Sequence, residues 1–268
     1  MNEIFRFHRG TTPLLVSIPH GGVHVPDSLA RRLTPEALVL ADTDWHVDRL
    51  YDFAASMGAS VIAATHSRYV IDLNRPPDGA ALYPGADNTE LCPTTSFARE
   101  PLYGPGDAPD EGEIEQRIET YWRPYHEALA AEVDRLRVSH GVALLFDAHS
   151  IRSEVPRFFD GRLADFNLGT AGGDSADGAL ATRLLTVCSR AESYRSVLNG
   201  RFTGGYITRR HGKPANNVHA VQLELSQATY MDEDPPFTYR SDLADAVRPV
   251  LKGLLAEILD WLGEADRA

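Results

Sequence analysis

The sequence predicts an α/β fold, a mixed and mostly parallel sheet with helices on both faces. Three observations carry that expectation. Short continuous apolar runs, such as Leu14–Ile18 and residues 142–146, suit strands buried on both sides. Longer segments place apolar residues at every third or fourth position, the spacing of amphipathic helices. Clusters of Pro, Gly, Asp and Thr punctuate the alternation, as expected of a sheet layered between helices.

The first strand, Leu14–Ile18, stops at Pro19 and runs into His20-Gly21-Gly22, a turn that can leave an imidazole facing a cleft. Thr34-Pro35-Glu36 reads as a helix start, and Trp45, Leu50, Phe53 and Ala54 fall at near-helical spacing before Gly58. Asp42 and Asp44 are then expected at or just before a second helix. Residues 59–64 and 69–73 read as strands, the second ending in Asn74-Arg75-Pro76-Pro77, which cannot continue a ladder. The stretch 76–112 has little periodicity, and so long a loop in a compact enzyme is a lid or binding element more often than filler. Residues 113–140 form a long amphipathic helix that Pro124 should bend or divide. After the strand at 142–146, residues 157–173 read as loop, 176–189 as helix, 206–208 and 220–225 as strands, and 241–263 as a closing helix.

At 268 residues and 43% hydrophobic composition, the chain is expected to form a single domain over 1–268, with a loop insertion at about 76–112. The 26 basic and 38 acidic residues give a net charge of −12, which opposes binding to nucleic acid or anionic membrane surfaces. An anionic substrate would need a local basic pocket. Two distant cysteines, Cys92 and Cys188, support neither a disulfide framework nor a thiolate zinc site, and a reducing cytoplasm is the plain reading. No signal segment and no apolar run of membrane length is apparent, so a soluble cytoplasmic protein is expected.

His20 and His149, each expected at a strand end, supply two of the ligands a catalytic zinc needs. The third comes from Asp42, Asp44 or His46; Asp44 is preferred because a carboxylate near a helix start is held rigidly, the same position that would make it an ordinary cap. Glu224 stands on the polar face of an otherwise apolar strand, where partial burial would lift its pKa and suit it to general-base work. Arg68, Asn74 and Arg75 form a carboxylate-binding group, with Arg209 as a second basic wall. No Gly-x-Ser-x-Gly elbow, activated cysteine or phosphate-binding glycine loop is present.

Together, several segments resemble the N-formylglutamate amidohydrolase family of bacterial histidine degradation. They are residues 17–22 (SIPHGG), 42–46 (DTDWH), 67–76 (SRYVIDLNRP), 122–126 (WRPYH), 146–153 (FDAHSIRS), 165–169 (DFNLG) and 222–226 (QLELS). The resemblance covers nearly the whole chain. It implies an architecture similar to zinc carboxypeptidases (phosphorylase/hydrolase-like) and to aspartoacylase-type deacylases. It also implies a divalent metal, Zn2+, on His20 and His149, an Asn74-Arg75 carboxylate clamp, Glu224 as the catalytic glutamate, and hydrolysis of N-formyl-L-glutamate to formate and L-glutamate. Those relatives carry the acidic ligand three residues after the first histidine, where this chain has Val23, so Asp44 in that role is an inference from the residues alone. Three other readings stay open on the residues: a deacylase for an N-acetyl, N-succinyl or N-carbamoyl acidic amino acid, a noncatalytic sensor of acidic amino acids, and a peptidase.

Overall fold

The computed structural model describes residues 3–82 and 85–265, so two positions of the 76–112 stretch lie outside the described residues. Its strands are β1 (Phe5–His8), β2 (Leu14–Ile18), β3 (Ser60–Ala64), β4 (Ala143–Ile151), β5 (Phe166–Gly169), β6 (Ser196–Leu198) and β7 (Val218–Ser226). They form one seven-stranded sheet in the order β1-β3-β2-β4-β7-β5-β6. The central strands β3, β2, β4 and β7 are parallel, whereas β1 and β5 each pair antiparallel with their inner neighbour, giving the mixed, mostly parallel sheet expected.

Every residue of β2, β4 and β7 is buried, as befits strands covered on both sides. Alternation splits their side chains between two cores. Leu14, Val16, Phe146, Ala148, Val221 and Leu223 enter one, and Leu15, Ala143, Leu145 and Ala220 enter the other. The helices are α1 (Asp27–Ala30), α2 (Val47–Leu50), α3 (Glu111–Arg117), α4 (Arg123–His140), α5 (Gly178–Ser189), α6 (Tyr206–His211) and α7 (Ser241–Ala265). The first core is closed by α2, α5 and α7 through Leu50, Leu184 and Leu255; the second is closed by α4 and α6 through Leu129, Leu136 and Ile207. A five-residue π-helical segment, Ile118–Trp122, joins α3 to α4 immediately before Pro124. Proline cannot donate the interior hydrogen bond of an α-helix, and the wider turn absorbs the missing donor, so the helical backbone runs on without the break that a division would need. Among the described residues no helix is long and apolar enough to cross a membrane.

The structure departs from the expectations in several segments. Residues 69–73 are not a strand but a chain of buried turns. There the Tyr69 and Val70 amides donate to Ser67, the Asn74 amide donates to the Asp72 carboxylate, and the Arg75 amide to the Asp72 carbonyl. Residues 206–208 begin α6 because Asn74 accepts the Ile207 amide on its side chain at 2.8 Å and the Tyr206 amide on its carbonyl at 3.3 Å. The loop expected at 157–173 contains β5, and the strand beginning at 143 continues through His149 to Ile151 instead of stopping before it. The helix expected from Thr34 is a single 3-10 turn, Ala37–Val39, and Asp44 does not cap α2; His46 holds that position with φ of 63°. The edge strands β1 and β6 have no counterpart in the sequence reading.

Candidate active site

The site lies where the parallel strands end. His20 follows β2, and Gly22 passes so close to the next strand's exit that a Cβ there would lie 2.4 Å from the His66 carbonyl oxygen. The Asp44 amide donates to the His20 carbonyl at 3.1 Å, which ties the Asp44 loop to that turn. His149 of β4 and Glu224 of β7 are partners in the parallel register, so two strands deliver an imidazole and a carboxyl side by side. Alternation puts Asp147 on the same face as His149, and Gln222 on the same face as Glu224.

The ligand atoms of His20, Asp44 and His149 all lie within 4.8 Å of one another, and all three residues are buried. Each imidazole turns Nδ1 toward Asp44 Oδ2, at 3.8 Å from His20 and 3.1 Å from His149. Each is backed on Nε2 by a second carboxylate, His20 by Asp72 at 2.8 Å and His149 by Asp147 at 2.9 Å. Two imidazole nitrogens and one carboxylate oxygen, with a carboxylate behind each ring, suit a divalent ion of the zinc type. The group could therefore hold such a cation. The other two candidates lie elsewhere: Asp42 accepts the Phe97 amide at 2.8 Å, and His46 meets the Phe237 carbonyl at 2.7 Å.

Charge is concentrated here. Burial disfavours the Asp72 carboxylate, but His20 and Arg68 outweigh it and hold Asp72 well below the usual range. Burial likewise opposes a charge on His149, yet Asp147 and Asp44 raise its pKa well above the ordinary value, while burial and Arg68 lower that of His20. Burial pushes Glu224 up to about 8, with Asp44 adding to the rise and His149 opposing it. A carboxyl in that range can both take and return a proton near neutral pH.

These groups open onto a cavity of about 60 Å³, whose lining includes Arg75, Leu82, Phe97, Phe158 and Phe202. A void of that size has room for only a few waters, at roughly 10–15 Å³ each. Its outer walls carry Leu82, Phe97, Phe158 and Phe202. Those walls come from two loops clasped together, with Arg157 donating to Asp87 at 3.0 Å and the Phe97 and Phe158 rings 5.0 Å apart.

The four expected substrate contacts separate into different settings. Arg75 lines the cavity, steadied by the Thr89 carbonyl and hydroxyl. Arg68 also lines it, but its guanidinium donates to Asp72 at 2.7 Å, lies 3.5 Å from Asp44 and sits over the Phe97 ring. The Asn74 amide reaches the cavity from below, between Asp147, Gln222 and the start of α6. Arg209 stands outside the lining and donates to the carbonyls of Leu82 and Gly204. Sequence reasoning did not single out Asp72, Asp147 or Gln222. The available signal was spacing, since each lies two residues before a residue already chosen.

Sheet and site together define an α/β enzyme of the hydrolase class. The chain belongs to the N-formylglutamate amidohydrolase family, whose model matches residues 12–231. It is 55% identical over 264 residues to the N-formylglutamate deformylase of Pseudomonas putida, covering 98% of each chain. It is also 55% identical over 261 residues to the protein of that name from Pseudomonas aeruginosa, covering 97% of this chain and 98% of the other. Among solved structures, the N-formylglutamate amidohydrolase of Ralstonia eutropha superposes with a TM-score of 0.83 at 24% identity, over 97% of this chain and 98% of that one. A gene product of Agrobacterium tumefaciens superposes at 0.70 and 19% identity, over 96% of each. At those identities the two structures speak for the fold alone.

Proposed function

We propose that this protein hydrolyses N-formyl-L-glutamate to formate and L-glutamate. The observation that carries the reading is the convergence, in one buried cavity, of the His20-Asp44-His149 donor set with Glu224 and Arg75. The names of the 55%-identical relatives support the substrate. A place at the end of a histidine degradation route rests on the family resemblance.

His20, Asp44 and His149 would hold a divalent cation, Zn2+ by the donor set, which supplies a Lewis acid for the formyl carbonyl and lowers the pKa of a water. Glu224 takes a proton from the attacking water as the carbon–oxygen bond forms. It returns that proton to the amide nitrogen as the carbon–nitrogen bond breaks, so the products are formate and a free amine. Arg75 faces the cavity as a bidentate donor for a substrate carboxylate. Arg68 adds positive charge to the same wall, Asn74 contributes from the floor, and Arg209 steadies the wall by holding Leu82.

The test is formate release from N-formyl-L-glutamate, with N-acetyl-, N-succinyl- and N-carbamoyl-glutamate followed in parallel, before and after chelation and zinc restoration. Formate release that stops on chelation and returns with zinc is expected. Turnover of another acyl group alone would move the substrate, and no turnover by metal-replete protein would overturn the enzymatic reading.

A further inference from the structure

None of the residues of the 122–126 motif lines the cavity, yet two of them reach the backbone of the carboxylate-binding segment. Residues 73–75 lie outside any helix or strand, so no ladder satisfies their carbonyls and each must find a donor elsewhere. Three residues supply one N–H apiece to three consecutive carbonyls. His126 Nε2 donates to Leu73 at 2.8 Å, the Tyr206 amide to Asn74 at 3.3 Å, and Trp122 Nε1 to Arg75 at 3.0 Å. A carbonyl only accepts, so the His126 proton on that side is not in question.

The three donors also pack on one another. The Trp122 and His126 rings stack with centroids 3.8 Å apart and 26° between their planes, and the Tyr206 ring lies 5.6 Å from the first and 5.4 Å from the second. Trp122 ends the π-helical segment and His126 follows on α4, at the spacing that puts two side chains on one helix face. Such π turns within helices frequently accompany functional sites. The backbone held in this way carries the Arg75 side chain, which donates to the Asn74 carbonyl at 3.3 Å and to the Thr89 hydroxyl at 2.9 Å before it meets the cavity.

We propose that Trp122 and His126 are positioning residues for the Asn74-Arg75 pair. Their two N–H groups bracket the pair from either side, on the carbonyls of Leu73 and Arg75, and fix where the Arg75 guanidinium enters the cavity. Neither touches substrate.

The inference rests on the reading of Arg75 as the donor to a substrate carboxylate, and the experiment separates the two. Steady-state formate release and Tm are measured on zinc-loaded, full-length wild type, Trp122→Phe, Arg75→Ala, the double variant of these two, His126→Gln and His126→Phe. Phenylalanine at 122 keeps a ring against His126 and donates nothing. Trp122→Phe should raise KM about tenfold with kcat within about twofold of wild type, because a displaced clamp weakens substrate and transition state alike. In the Arg75→Ala background the same change should alter kcat/KM by less than about twofold, since the group it places is gone. A general loosening of the fold would cost as much in both backgrounds. His126→Gln, whose amide can donate to the Leu73 carbonyl, should stay within about threefold of the wild-type KM, whereas His126→Phe should match Trp122→Phe. Wild type that releases no formate, or Arg75→Ala with a wild-type KM, would overturn the reading of the site. Turnover that depends on Arg75, with KM unchanged in Trp122→Phe or with an equal loss in the Arg75→Ala background, would overturn the positioning role and leave that reading standing. Should Trp122→Phe not fold, equal KM values for His126→Gln and His126→Phe would do the same.

Discussion

Replacing Arg68 by leucine separates two roles for that side chain, substrate contact and structural counter-ion. The guanidinium is buried, donates to Asp72 at 2.7 Å and stands 3.5 Å from Asp44. Burial works against its charge, but Asp72 and Asp44 outweigh the penalty and hold its pKa above the ordinary value. Leucine fills much of the same space and leaves Asp72 with His20, the Asn74 amide and the charge of Arg75. Removing one partner of a buried ion pair costs about 3–5 kcal/mol, because the remaining charge stays desolvated. At about 2.1 cal/mol/K per residue, 268 residues give an unfolding entropy near 0.56 kcal/mol/K, so Tm should fall by about 5–9 °C. The assay is thermal unfolding of metal-free protein in chelator, with no substrate present, followed by steady-state formate release. A variant within about 1 kcal/mol of wild type in stability, but with a raised KM, would refute the counter-ion argument and return Arg68 to substrate binding.

Two further outcomes follow from the same geometry. Glu224→Gln should lower kcat for formate release by about 10²–10⁴-fold, the span of general acid–base catalysis, with bound metal and Tm undiminished; a loss under tenfold would remove Glu224 from the chemistry. Away from the site, burial holds His126 neutral, lowering its pKa to about 3 despite the hydrogen bond from Nε2 to the Leu73 carbonyl. The unfolded chain takes up that proton first. The stability due to a neutral His126 is therefore complete above pH 6.5 and is lost as pH falls from there toward 3. Between pH 6.5 and 5.0 the loss from this residue is about 1.6 kcal/mol, less than 1.36 kcal/mol for each of the 1.5 pH units because the unfolded imidazole is already half protonated at pH 6.5. Urea unfolding at the two pH values should find His126→Gln less acid-sensitive by that amount, and equal slopes for variant and wild type would refute the assignment.

Much of the site was legible because its chemistry sits on strongly patterned segments. The runs at 14–18 and 143–151 are apolar enough to be strands in any context, so the histidines they carry had an expected place. Glu224 drew attention as a carboxyl among Val221, Leu223 and Leu225, and its partners are inner strands on both sides, which is why burial shifts it so far. The misread segments are the weakly patterned ones. Residues 69–73 have the β-branched and aromatic composition of a strand, but side-chain acceptors at Ser67 and Asp72 satisfy the amides locally, and turns prevail. At 206–208, Asn74 supplies the acceptors for the first two amides of α6, from more than a hundred positions away in sequence.

The sequence by itself determined the alternation of strands and helices, the acidic surface, and which residue types stand at the strand ends. Hydrophobic periodicity and side-chain chemistry are local properties, and they survive without knowledge of neighbours. Only the tertiary structure decided that Asp44, not Asp42 or His46, meets the histidines. It alone set Asp72 and Asp147 behind them and turned Arg68 inward. Those choices depend on contacts between residues 52 apart, as for His20 and Asp72, or 105 apart, as for Asp44 and His149. Such pairs are brought together by the register of the parallel strands and by burial. A carboxylate taken out of water must find a donor or a cation, and which one it finds is settled by packing across the whole sheet.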